Sequence, residues 1–161
     1  MKLRTGFGFD VHRLIENREL WLGGVRLEHE KGLSGHSDAD VLIHAICDAL
    51  LGAANMHDIG YHFPDTEKEL KNIDSKILLE KTVKLIREKG YEIENIDSTV
   101  CAERPKLKNH IPVMQETLAR VMNMDVDDIS IKATTTEKLG FTGREEGISA
   151  YVSVLIIKSC S

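Results

Sequence analysis

Asp10 and His12 stand two positions apart in "GFGFDVHRL" (residues 6–14), at the end of an apolar run with strand character from Leu3 to Phe9. Side chains alternate along a strand, so residues i and i+2 share a face, about 6.5–7 Å apart at Cα, and turn onto one ion. A third ligand has to come from elsewhere, and "SDADVLIHAICDALLGA" offers His44. The spacing predicts a helix capped by Ser37 and ending near Gly52, with Leu42, Ile43, Ile46 and Leu50 as its apolar stripe. Asp40, His44 and Asp48 align at i, i+4, i+8 on another side. A strand Asp-x-His plus a helical His makes a three-ligand zinc site with an open fourth position, the catalytic pattern, and Asp48 is placed to orient the imidazole. A helical histidine is more often solvated or hydrogen-bonded than a ligand, so residue types alone leave both readings open.

Further stretches carry groups suited to phosphate. His36 and Ser37 precede the same helix, and a helix N-terminus bearing an imidazole and a hydroxyl attracts an anion. An ordinary serine cap is the alternative. In "KATTTEKLGFTGREEG" (132–147) three threonines leave a strand beside Glu137, which suits a phosphate chain neutralised by a hard cation such as Mg²⁺. Threonines are equally good strand residues, and Glu137 with Lys138 equally a surface pair. "AERPKLKNH" (102–110), by residue type, is a loop.

These groups need a scaffold. With 161 residues, 42% of them hydrophobic, the chain suits a single domain over 1–161 with a real core. The 26 acidic and 21 basic residues give a net charge of −5, and no Lys/Arg block stands out, which argues against a nucleic-acid or anionic-membrane partner. Nothing resembles a membrane span or an export signal, so the expectation is a soluble, cytoplasmic protein. Cys47, Cys101 and Cys160 are odd in number without C-x-x-C spacing, and read as reduced thiols, mostly in the core.

"LWLGGVRL" reads as a hairpin turning at Gly23 and Gly24, and His57 to Asn72 as a long functional loop. Ser75 caps a second helix that stops at Gly90, and Pro112 opens a third. "YEIENIDSTVCAE", "DISIKATTT" and "GISAYVSVLIIK" read as strands. The order β-β-α-loop-α-β-α-β-β implies one α+β (α/β) domain, a mixed sheet covered on one face by helices. An apolar second face would call for self-association.

The motifs "GFDVHR", "GLSGHSDADVLIHAICDALLGA", "DIGYHFPDT", "PKLKNHIP" and "IKATTTEKLGFTGREEGI" run in order through nearly the whole chain. Together they resemble the 2-C-methyl-D-erythritol 2,4-cyclodiphosphate synthase family of the non-mevalonate isoprenoid pathway. The resemblance implies a homotrimer, joined through the sheet side, with active sites at subunit interfaces. It makes Asp10, His12 and His44 the ligands of one Zn²⁺ per subunit, with Asp10 and His12 also touching substrate. His36 and Ser37 become the diphosphate site, and Glu137 the holder of Mg²⁺ or Mn²⁺. Asp58, Ile59, Gly60, Phe63, Pro64 and Asp65 would bind the methylerythritol phosphate end. Ala102, Pro105, Lys106 and Leu107 would hold the cytidine end, with Ala133, Thr134, Thr135 and Thr136. Phe141 and Arg144 match positions near substrate and the trimer axis.

The implied reaction converts 4-diphosphocytidyl-2-C-methyl-D-erythritol 2-phosphate to the 2,4-cyclodiphosphate. Its 2-phosphate attacks the β-phosphorus and CMP leaves, with His36 and Thr135 stabilising charge and no protein nucleophile required. A zinc-dependent phosphohydrolase and a non-catalytic trimer binding a metabolite or prenyl phosphate are the rival readings. His29, His57, His62 and His110 receive no role.

Overall fold

The computed structural model describes residues 1–64 and 72–158. Asp65, Cys160 and most of the second half of the expected 57–72 loop lie outside them. Strand β1 (Lys2–Glu16) runs through the Asp-x-His pair rather than stopping at Phe9. The reason is pairing: β7 (Gly147–Lys158) lies antiparallel along it from Lys2↔Lys158 to Arg13↔Gly147, and a ladder of that length overrides the local polarity of two residues. Beyond it, Leu14–Glu16 pair with β4 (Lys31–Leu33), a three-residue strand too short to show a period in sequence. Leu20–Leu22 (β2) and Val25–Leu27 (β3) form the separate hairpin expected around Gly23 and Gly24.

With β5 (Glu92–Cys101) and β6 (Ile129–Thr134) the main sheet has the order β4-β1-β7-β5-β6; only β5 and β6 pair in parallel, so the sheet is mixed as expected. Among the described residues the long helices are α1 (Val41–Ala53), α3 (Ser75–Glu88) and α4 (Ile111–Met122), and Pro112 lies in the first turn of α4 as read from sequence. Short helices α2 (Ile59–His62) and α5 (Gly140–Gly143) interrupt what read as loops.

Asp40, not Ser37, caps α1: its carboxylate accepts from Ile43 N at 3.1 Å and, across the fold, from Gly23 N at 2.9 Å and Gly24 N at 2.7 Å. Both residue types cap well, and the distant hairpin turn decides between them. Asp74 likewise caps α3, with Ser75 its first helical residue. After α3, Gly90 takes φ +84, the left-handed stop its position implied.

Helix α1 is buried almost all round, with Leu42, Ile43, Ile46 and Leu50 fully enclosed; His44, Asp48 and Gly52 are the positions that escape burial. It can lie this close to β1 because of two glycines. A Cβ on Gly8 would sit 2.8 Å from Ala49 N and closer still to the Ala45 carbonyl, and one on Gly6 would meet Ala53 Cβ at 2.8 Å. Gly6, Gly8, Asp10 and His12 therefore form one face of β1, directed at α1. The opposite face stays bare: Leu3, Phe7, Phe9, Val11 and Tyr151 are exposed, Phe7 by 67%.

Candidate metal centre and nucleotide pocket

Where the glycine face of β1 continues, Asp10 and His12 meet His44 of α1. His12 Nε2 lies 2.9 Å from Asp10 Oδ2, His44 Nδ1 lies 3.2 Å from the same oxygen, and the two nitrogens are 3.1 Å apart. Tetrahedral zinc with arms of about 2.0–2.1 Å spans about 3.3–3.4 Å between ligands, so this triangle closes on one ion with small adjustment. These three residues form a group whose geometry could hold a metal ion.

Charge agrees with that shape. Burial opposes ionisation of Asp10, but hydrogen bonds and charge from His12 and His44 bring its pKa down to about 2. Burial also depresses the His12 pKa, yet the bond to Asp10, that carboxylate's charge and the Ser34 carbonyl outweigh it and raise the pKa above the ordinary value. Both shifts express a centre that favours positive charge, supplied by imidazole protons or by a metal. His12 Nδ1 donates to the Ser34 carbonyl at 2.7 Å, which aims Nε2 inward, and a Cβ on Gly35 would come within 3.0 Å of the ring.

Asp48 is employed elsewhere than the sequence suggests. Its Oδ1 accepts from Ile59 N at 2.8 Å, tethering α2. Helical side chains lean toward the N-terminus, so His44 reaches back, placing Nε2 3.0 Å from both Ser37 Oγ and Ser75 Oγ.

A cavity of about 240 Å³ opens over the triangle, and its walls include His36, Ser37, Ile59, Gly60 and Phe63. Gly35, Ile73 and Leu78 also line it; sequence reading missed them, because apolar and glycine wall positions carry no chemical signature. Asp58 caps α2 through Tyr61 N at 2.9 Å, and Pro64 follows that helix, both outside the lining.

A second depression, sharing no residue with the first, is lined by Ala102, Pro105, Lys106, Leu107, Lys108, Ala133, Thr134 and Thr135. The structure thus gathers the set expected for a cytidine except Thr136, and adds Lys108. Thr136 and Glu137 follow on a loop in which Glu137 and Lys138 adopt positive φ, 52° and 62°. Glu103 holds that loop, its carboxylate accepting from Thr136 N at 3.2 Å and Lys138 N at 3.1 Å. Phe141 lies on α5, and Arg144 pairs with Glu146 at 2.8 Å beside Arg13 and Lys31, away from both pockets.

Residues 3–157 match the family model described as the YgbB family. The chain belongs to the YgbB family. It is 78% identical to a 2-C-methyl-D-erythritol 2,4-cyclodiphosphate synthase of Bacteroides thetaiotaomicron over 98% of this chain and 99% of that protein. A synthase of the same description from Porphyromonas gingivalis is 69% identical over 96% and 95%. Among solved structures of this family, an IspF of Plasmodium falciparum in complex with CDP superimposes with TM-score 0.86 at 35% identity, covering 98% of this chain and 97% of that one. The bifunctional IspDF of Campylobacter jejuni gives TM-score 0.93 at 48% identity, and there this chain spans 42% of the longer protein.

Proposed function

We propose that this YgbB-family chain catalyses intramolecular cyclisation of a cytidine diphosphate ester carrying a second phosphate, releasing CMP and forming 2-C-methyl-D-erythritol 2,4-cyclodiphosphate. The convergence of Asp10, His12 and His44 at 2.9–3.2 Å beneath an open cavity carries this reading. Asp10, His12 and His44 would hold Zn²⁺, and Glu137 would hold Mg²⁺ or Mn²⁺ on the substrate diphosphate. Bound there, the cations supply the positive charge that lets two anionic phosphates approach.

The chain's own groups do the rest. His36 and Ser37 bind the diphosphate at the cavity wall, and Ile59, Gly60 and Phe63 enclose the methylerythritol end, with Asp58 and Pro64 next to them in the chain. Ala102, Pro105, Lys106, Leu107, Ala133 and Thr134 seat the cytidine, while Thr135 and His36 donate to the oxygens that gain charge. An oxygen of the 2-phosphate bonds to the β-phosphorus as the bond from that phosphorus to the CMP oxygen breaks. No proton need move to a protein nucleophile. The free Cys47 and Cys101 thiols support a reducing, cytoplasmic setting.

The two pockets share no lining within one chain, and a bare apolar face runs along β1 and β7. Both features support a homotrimer in which one subunit's metal centre faces its neighbour's nucleotide pocket, with Phe141 and Arg144 toward the axis. Light scattering is expected to give the mass of three chains, and a stable active monomer would overturn the assembly.

Nucleotide choice follows from the second pocket. A loop that reads a pyrimidine through backbone groups leaves those groups unpaired against a purine, a penalty on the order of 10²-fold. Calorimetry should therefore show CDP binding about 10²-fold tighter than ADP, and equal affinities would remove the cytidine assignment.

A further inference from the structure

We propose that Ser75, anchored by Asp38, is a positioning residue that fixes the proton of His44 on Nε2 and so presents Nδ1 to the metal. The inference rests on the metal reading above and adds the residues that set its ligand geometry.

Hydrogen accounting gives the assignment. Ser75 is fully buried at the start of α3, and its hydroxyl donates to Asp38 Oδ1, while Asp38 Oδ2 accepts from Ser75 N at 2.9 Å. Asp38 Oδ1 also accepts from Asp40 N at 3.1 Å, which locks the carboxylate to the approach of α1. A carboxylate only accepts, so the single hydroxyl hydrogen of Ser75 is committed to it. Ser75 Oγ then meets His44 Nε2, 3.0 Å away, with lone pairs, and the hydrogen between them belongs to the imidazole.

Ser37 adds to this. Its Oγ accepts from Ala39 N at 3.1 Å and lies 3.0 Å from the same Nε2, so once Ser75 has fixed the ring hydrogen there, Ser37 receives it as a second acceptor. With Nε2 protonated and shared between two hydroxyl oxygens, the lone pair of neutral His44 is on Nδ1, the atom facing Asp10 and His12. The Ser37 hydroxyl hydrogen can turn to Ser75 Oγ, 3.5 Å away, or to an acceptor in the cavity it lines, such as a phosphate oxygen.

Two measurements on the full-length protein test the proposal. Histidine-labelled nitrogen NMR of the zinc-loaded wild type should show His44 with a hydrogen on Nε2 and metal on Nδ1. The opposite arrangement overturns the proposal, and this readout needs no variant. Chelator competition should show that Ser75→Ala weakens zinc binding about 10- to 100-fold, the range for losing a group that orients a ligand, with the metal-free thermal midpoint recording any loss of fold. Asp38→Ala should weaken zinc similarly, because it frees the Ser75 hydrogen to turn on Nε2. Wild-type affinity in both variants overturns the role of Ser75. A wild type that takes up no zinc overturns the metal reading instead, and the tautomer is then read on the metal-free protein at alkaline pH, where Nε2–H is still required.

Discussion

His44→Ala is expected to purify folded but with little zinc, and to form cyclic product more than about 10³-fold more slowly than the wild type. One of three ligands is gone, which costs more than the roughly 10- to 100-fold of changes behind a ligand. The apolar packing of α1 does not depend on this side chain: the enclosed residues are Leu42, Ile43, Ile46, Leu50 and their neighbours, and His44 is partly buried on the polar side. Asp48→Asn is the contrast. Asp48 accepts from Ile59 N and makes no bond to the imidazole, and an asparagine Oδ1 accepts the same hydrogen, so that variant should keep both its zinc and the tether of α2. Elemental analysis and CMP release check both, and a His44→Ala protein with stoichiometric zinc and wild-type turnover would remove the metal assignment.

Gly8→Val is expected to damage stability and the metal centre together. No side chain fits between β1 and α1 at this position, where even a Cβ lies 2.8 Å from Ala49 N and nearer to the Ala45 carbonyl. Backbone has to part from backbone, a cost of about 3 kcal/mol or more, or roughly 6–12 °C in thermal midpoint at this chain length. Asp10 lies two residues along the same face of the same strand, so displacing β1 from α1 also parts Asp10 and His12 from His44. Gly52→Ala is the matching control. Its Cβ meets nothing within 4 Å, and a helical alanine should stabilise by about 0.5–1 kcal/mol. Thermal unfolding with zinc stoichiometry separates the two, and a Gly8→Val protein that melts like the wild type and retains zinc would show that the close approach does not build the site.

That Asp10, His12 and His44 could meet was legible in sequence because strand alternation and helical spacing are local rules they obey, while their reading as ligands came from the family resemblance. What surrounds the ligands was less so, for nameable reasons. Ser37 and Asp40 both suit a helix cap, and only the amides of Gly23 and Gly24, remote in sequence, favour Asp40. The i+4 spacing of His44 and Asp48 pointed to the wrong partner, since the imidazole leans back toward Ser37 and Ser75. Strand β4 is too short to show a period, and the extension of β1 past Phe9 is imposed by pairing with β7 and β4. Glu103 offered no pattern, because its function is to catch two amides 33 and 35 residues away.

The most direct test of the central claim is phosphorus NMR of 4-diphosphocytidyl-2-C-methyl-D-erythritol 2-phosphate incubated with the protein and Mg²⁺. The account predicts that the substrate resonances give way to those of CMP and of a cyclic diphosphate in equal amounts, with no water-derived product. An open-chain 2,4-bisphosphate would make the protein a hydrolase, and an unchanged spectrum would make it a binding protein; either result contradicts the account.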